Sequence, residues 1–293
     1  MTGVQTADGG GISVSKPTKS GTAELPSKLR LYYERHGSGS PLVLIAGTGC
    51  DHVFWTLQVP TYAARHEVIL LDHSGSGRSD APKDIDSYTA AAMADDLDAL
   101  LDFLGLESAH VAGHSLGSCI AQELALRHPD RVLSLQLHAT WGRADAWLQR
   151  AFIGTTRYPL ERGDLQATFK TVTMWMLSPV YLQTWQPQRV ADMVMAAFIK
   201  NPHLRADEGM LGHLRADEVH DTLDRLAEIR VPVLVTAGEW DVLIPSRYGQ
   251  EVAARIPGAD FHVFPGERSS HAYPWEMEDE FNRVTSEFLE RVS

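Results

Sequence analysis

The sequence predicts an α/β protein, a mostly parallel sheet with helices packed on both faces. Three observations carry that reading. Short, almost continuously apolar runs recur near residues 41–46, 67–72, 109–113, 132–138, 231–237 and 259–264, as expected of strands covered on both sides. Helical patterns separate them, and such alternation implies parallel strands joined by crossover helices. A Gly-x-Ser-x-Gly run, Gly113-His114-Ser115-Leu116-Gly117, joins one of these strands to one of these helices.

The elements follow in order. Residues 1–27 are polar, contain Gly9-Gly10-Gly11 and have no hydrophobic signal core, so they read as a flexible tail. Leu29 to Arg35 alternates, which predicts an early antiparallel edge strand. After the runs at 41–46 and 67–72, the stretch Tyr88 to Leu104 puts Met93, Leu97, Leu100, Leu101 and Leu104 on one helical side, with Gly105 as a stop. The run at 109–113 leads into a helix over 116–128, ended by Pro129. Beyond 132–138 the alternation breaks. Residues 141–221 show no clear strand but carry Trp147, Phe152, Phe169, Trp175, Tyr181, Met193, Met195 and Phe198, and so interrupt the alternation. A helix over about 276–291 buries Phe281, Val284, Phe288 and Leu289. Residues 28–140 and 222–293 therefore form the core, and 141–221 is an insertion within it.

Gly-x-Ser-x-Gly between strand and helix is the pattern of a nucleophile elbow. The turn is tight enough to strain the serine backbone, and small residues are needed two before and two after it. A serine hydroxyl is a weak nucleophile near neutral pH, so it needs a base and a third group to orient that base. Two loops after later strands offer them. Glu239-Trp240-Asp241 follows the run 231–237, and Asp241 is preferred over Glu239 because it lies later in the loop. His271 follows the run 259–264 and precedes the last helix; of the 13 histidines it alone has that late position. His114 reads as a local packing or donor group, and His262 as structural.

At these residues the chain resembles the α/β-hydrolase fold family over about residues 28–293. Leu42-Val43-Leu44-Ile45-Ala46-Gly47-Thr48-Gly49 resembles the family's oxyanion strand and loop, and Asp72-His73-Ser74-Gly75-Ser76-Gly77-Arg78-Ser79 its Asp-x-x-Gly-x-Gly-x-Ser turn. Within the family the likeness is to bacterial enol-lactonases and aminoacrylate hydrolases, supported by His220 to Leu226. The resemblance implies an eight-stranded sheet, a catalytic triad of Ser115, Asp241 and His271, and an oxyanion hole formed by the backbone N–H groups of Leu116 and Thr48. It implies that residues 141–221 are a helical cap, with a small to medium, partly apolar small-molecule substrate beneath it and Gly49, Cys50, Trp141, Met174, Trp175 and Trp185 as pocket residues. Two departures stand out: Ala46-Gly47 where many relatives have His-Gly, and Gly117-Ser118 where many have Gly-Gly.

Composition excludes other classes. With 26 Lys and Arg against 38 Asp and Glu, the formal charge is −12, which disfavours nucleic acid and anionic membranes. No apolar stretch approaches the roughly 18 residues of a membrane span. The two cysteines, Cys50 and Cys119, do not indicate a disulfide scaffold. No metal or dinucleotide motif is complete, so neither a metal nor a cofactor is expected. A cytoplasmic enzyme is the default expectation, and a homo-oligomer stays open. His-Leu-Arg-Ala-Asp-Glu occurs twice, at 203–208 and 213–218, and reads as a charged, solvated pair of cap helices rather than a metal site. The leading expectation is a serine hydrolase of carboxylic esters or lactones acting through an acyl-enzyme. A carbon–carbon bond hydrolase, a cofactor-free haloperoxidase-like enzyme, and a non-catalytic ligand receptor on the same fold stay open beside it.

Overall fold

The computed structural model describes residues 16–184, 203 and 207–293. In chain order it contains β1 (Lys19–Glu24), β2 (Arg30–Gly37), β3 (Ser40–Ile45), β4 (His66–Leu71), α1 (Ala90–Leu104), β5 (Ala109–His114), α2 (Leu116–Arg127) and β6 (Val132–His138). Next come α3 (Gly154–Glu161), α4 (Leu165–Met176), α5 (Glu208–Val219), β7 (Val233–Gly238), α6 (Ser246–Arg255), β8 (Asp260–Phe264) and α7 (Glu278–Val292).

The strands form one eight-stranded sheet in the order β1-β2-β4-β3-β5-β6-β7-β8. The β1–β2 and β2–β4 pairs are antiparallel; every later pair is parallel. Leu42, Val43, Leu44 and Ile45 on β3 are fully buried, as are Val68, Ile69 and Leu70 on β4. That burial on both faces is why these strands read as unbroken apolar runs. Helix α1 starts where Thr89 Oγ1 accepts the Ala92 N–H at 3.0 Å and stops at Gly105, whose φ of 71° is the left-handed conformation that glycine adopts most easily.

The strand order places the chemistry. From β3 the chain steps outward to β4 and then returns to β5 on the other side of β3. The connections leaving the carboxyl ends of β3 and β5 therefore part company, and the crevice between them is where open α/β sheets bind ligands.

Two expectations are corrected at the amino-terminal edge. Residues 19–24 are a strand rather than tail, and β2 lies between β1 and β4 rather than at the edge. The sequence Lys-Ser-Gly-Thr-Ala-Glu buries only Ala23, so β1 is held by backbone pairing and leaves no apolar alternation to read.

The cap elements α3, α4 and α5 lie between β6 and β7. The second His-Leu-Arg-Ala-Asp-Glu copy lies in α5, and His213, Leu214, Ala216 and Asp217 are all buried. The solvated reading of that copy is corrected: α5 packs against the turn after β4, with Gly209 against the Gly75 backbone and Gly212 against the Tyr88 ring. Of the first copy only His203, Asp207 and Glu208 fall among the described residues. Among the described residues no helix is long and apolar enough to cross a membrane.

Candidate active site

Ser115 stands between β5 and α2 with φ 55° and ψ −123°, a strained backbone for a residue with a Cβ. A Cβ on Gly113 would collide with the Gly117 carbonyl, and one on Gly117 with the Ile45 carbonyl. The two glycines are thus required by backbone approach, and the elbow holds the serine at the carboxyl end of β5.

The loop after β3 is a tight turn in which Cys50 N–H donates to the Gly47 carbonyl at 3.1 Å. Gly49, at the third position of that turn, has φ 69°, as a type II turn demands. A Cβ on Gly47 would lie 3.0 Å from the Ser115 Cβ, so this turn borders the serine. The Gly49 N–H donates to His213 Nδ1 at 3.1 Å, which fixes the proton on Nε2; that N–H donates to the Ser74 carbonyl at 2.8 Å. The N–H groups of Leu116 and Thr48 make no hydrogen bond among the described residues.

The loops after β7 and β8 bring Asp241 and His271 together. His271 Nδ1–H donates to Asp241 Oδ2 at 2.8 Å. The other carboxylate oxygen, Oδ1, accepts the N–H groups of Leu243 at 2.9 Å and Ile244 at 2.8 Å. Both side chains are buried. In the neutral ring the bond from Nδ1 fixes the tautomer and leaves His271 Nε2 as the acceptor. Gly238 makes the loop approach possible, since a Cβ there would collide with the Ser269 carbonyl.

His114 links the elbow to the histidine loop. Its Nε2–H donates to the His271 carbonyl at 3.0 Å, and the two rings lie 4.7 Å apart. Burial and the neighbouring His271 hold its pKa well below the ordinary histidine value, so it is a neutral brace. The contact from His271 Nε2 to Ser115 Oγ is not closed to a hydrogen bond among the described residues. Contacts of this kind commonly tighten only around substrate.

A cavity beside the serine is lined by Ser115, Trp141, Leu148, Phe152, Ile153, Asp217, Leu243 and Ile244. Its free volume is about 10 Å³, the scale of one water molecule. Of the expected pocket residues, Trp141 lines it; Gly49, Cys50, Met174 and Trp175 do not. Met174 is 70 % exposed on α4. Trp175 packs within the cap, its Nε1–H donating to Thr155 Oγ1 at 3.1 Å. Trp185 lies outside the described residues. The sequence reading missed Asp217 and the α3-proximal apolar wall, because a cap helix's inner face becomes visible only once its packing is known.

The only group of at least three His, Cys, Asp or Glu side chains with metal-ligand spacing among the described residues is Asp51, His52 and Asp72. Its lone pairs serve the fold. His52 Nδ1–H and the His52 backbone N–H donate to Asp72 Oδ1 at 2.7 and 2.9 Å, the Arg78 N–H donates to Asp72 Oδ2 at 2.9 Å, and Asp51 caps Val53. The donor set ties the loop after β3 to the turn after β4 and does not fit a bound ion.

A parallel-sheet fold with a strained serine elbow, a buried acid–histidine pair at the same edge and a helical cap defines the hydrolase class of α/β proteins. The chain belongs to the α/β-hydrolase fold family, whose profile matches residues 40–272. It is 37% identical over 89% of its length to "Putative carbamate hydrolase RutD" of Azorhizobium caulinodans, covering 96% of that protein. Its structure matches the enol-lactonase from Burkholderia xenovorans LB400 with a TM-score of 0.81 at 25% identity, over 92% of this chain and all (100%) of that one. A second match is Est816, described as an N-acyl homoserine lactone degrading enzyme, with a TM-score of 0.77 at 27% identity over 92% of this chain and 100% of that one. These relatives are enzymes of the hydrolase fold.

Proposed function

We propose that the protein is a serine hydrolase of carboxylic esters or lactones, with Ser115 as nucleophile, His271 as general base and Asp241 as its orienting acid. The observation that carries the reading is the buried 2.8 Å pair of His271 Nδ1–H and Asp241 Oδ2 at the sheet edge that also holds the strained Ser115. Ser115 Oγ attacks the carbonyl carbon and His271 Nε2 takes its proton. Asp241 keeps the tautomer and stabilises the imidazolium. The developing oxyanion is held by the Leu116 and Thr48 N–H groups, and removing one such donor typically costs about 2.7–4 kcal/mol in the barrier. His271 then returns its proton to the leaving oxygen, and water activated by the same imidazole clears the acyl-enzyme. The chemistry uses side chains, backbone and water alone, and suits a cytoplasmic enzyme acting on a small molecule.

A carbamate carbonyl is the second reading, favoured by the name of the Azorhizobium relative. The attack is the same, but nitrogen donation makes that carbonyl less electrophilic, so the oxyanion donors carry more of the barrier.

The test is turnover of p-nitrophenyl esters and simple lactones by the wild type and Ser115→Ala, with fluorophosphonate labelling alongside. The expected result is labelling at Ser115 and a loss of at least about 10³-fold in kcat for the variant. Equal rates, or a folded wild type that neither labels nor turns over, overturn the reading and leave a ligand receptor on this fold.

A further inference from the structure

The cavity wall is apolar with two exceptions besides Ser115. Asp217 is 3 % exposed, and its Oδ1 has no hydrogen-bond partner among the described residues. Trp141 is 2 % exposed, and its Nε1–H likewise has none. The other Asp217 oxygen, Oδ2, accepts the Thr48 Oγ1–H at 2.6 Å. One buried acceptor and one buried donor therefore remain unspent on two residues that line a cavity otherwise made by Leu148, Phe152, Ile153, Leu243 and Ile244. Orphaned polar groups of this kind are rare and expensive inside proteins, and each calls for a ligand, a water or a function.

We infer that Asp217 Oδ1 and Trp141 Nε1–H form a recognition pair for substrates whose acyl group carries its own hydrogen-bond donor, an O–H or N–H, close to the scissile carbonyl. The inference rests on the serine-hydrolase reading and deepens it. Thr48 joins the two halves: its hydroxyl holds Asp217, and its backbone N–H belongs to the turn that borders Ser115. Filling the acceptor thus fixes the acyl group relative to the carbonyl being attacked. Burial pushes the Asp217 pKa up to about 7, despite the Thr48 bond, as expected of a carboxyl whose second oxygen awaits a donor. The Trp141 N–H supplies the complementary contact to an oxygen of the same group. A wholly apolar cavity would prefer a methyl over a hydroxyl; a site with an unpaired buried acceptor reverses that preference, because the methyl leaves the acceptor unsatisfied.

The probes are p-nitrophenyl β-hydroxypropanoate and p-nitrophenyl butanoate, which differ by a hydroxyl in place of a methyl. Their kcat/KM ratio is corrected for the alkaline hydrolysis rates of the free esters. The wild type is expected to favour the hydroxy ester by roughly 10- to 100-fold. Asp217→Asn keeps the shape; with its oxygen on Thr48 it turns an NH₂ toward the substrate donor, and the ratio should fall to unity or below. Asp217→Ala and Trp141→Phe should lower it too. General structural damage would slow both esters and leave the ratio unmoved. A wild-type ratio at or below unity overturns the inference without any variant. So does an unchanged ratio in soluble Asp217→Asn, which would mean that the two atoms only hold a structural water. If the wild type turns over the butanoate yet shows no preference, the recognition pair fails and the serine mechanism stands; if neither ester is cleaved, both fall.

Discussion

At the scale of single residues, the orientation of His271 depends on Asp241, and Asp241 in turn depends on two backbone N–H groups. Leu243 and Ile244 consume one carboxylate oxygen, so only the other is left to face Nδ1. Asp241→Asn preserves the shape but can present an NH₂ to Nδ1. The imidazole then turns its proton toward Ser115 and can no longer accept one. The expected outcome is a fall in kcat of about 10⁴-fold with KM little changed, read from steady-state kinetics on an aryl ester. Such residues are legible in a sequence when they sit in contiguous patterns. Gly113 to Gly117 announces itself because backbone collisions at both glycines leave no other choice. Asp217 is not legible: its local sequence is as charged as any exposed helix, and only the packing of α5 against the turn at Ser74 and Gly75 turns it inward.

At the scale of elements, the end of α4 is fastened to the histidine loop by one buried carboxylate. Glu276 Oε1 accepts the Ser178 N–H at 2.8 Å and the Ser270 Oγ–H at 2.7 Å, while Oε2 accepts the Ser178 Oγ–H at 2.5 Å. The Ala272 N–H adds a 3.0 Å bond to the Met176 carbonyl. This latch holds the residues on either side of His271 to the cap. Burial raises the Glu276 pKa above the ordinary glutamate value, partly offset by the Ser178 and Ser270 bonds and by Arg268; Tyr181 is the other titratable neighbour. The folded protein therefore binds this proton more tightly than the unfolded chain does. Stability is full below the unfolded pKa and is lost as pH rises toward the folded one. Glu276→Gln keeps one oxygen to accept the Ser178 N–H and the Ser270 Oγ–H and is exempt from that loss. Its Tm relative to wild type should rise on going from pH 4 to pH 8, in paired thermal melts; a difference independent of pH would refute the assignment. Ser178→Ala instead leaves a buried carboxylate short of partners and should cost about 1–3 kcal/mol in urea unfolding. The sequence shows that a cap exists, through its aromatic and methionine content, but not where it is tied down. Ser178 lies 98 residues before Glu276 in the chain, and neither these two nor Ser270 belongs to a motif.

At the scale of the whole molecule, seven of the eight strands were legible and β1 was not, and the physical difference between them makes a prediction. β2 to β8 either bury apolar side chains on both faces or alternate, so hydrophobic patterning marks them. β1 buries Ala23 alone and pairs with β2 from Lys19–Arg35 to Glu24–Arg30 through its backbone. Its contribution is then to cover an edge rather than to fill a core. β2 holds Leu31, Tyr32, Tyr33 and Glu34 buried beside that edge. Removing residues 1–24 would leave the far side of the sheet, where Ser115, Asp241 and His271 stand, structurally untouched. It would also expose a row of unpaired β2 N–H and C=O groups, a template for pairing with another chain. The truncated protein should keep its kcat per fluorophosphonate-labelled site within about two-fold while losing a few degrees in Tm. It should also shift toward dimers and larger species with rising concentration in light scattering. The formal charge of −12 opposes that association at low ionic strength, so added salt should promote it. A truncation that stays monomeric across salt and concentration, with an unchanged melt, would show that β1 does not guard the sheet; one that loses activity while still folded would show that the amino-terminal edge communicates with the site.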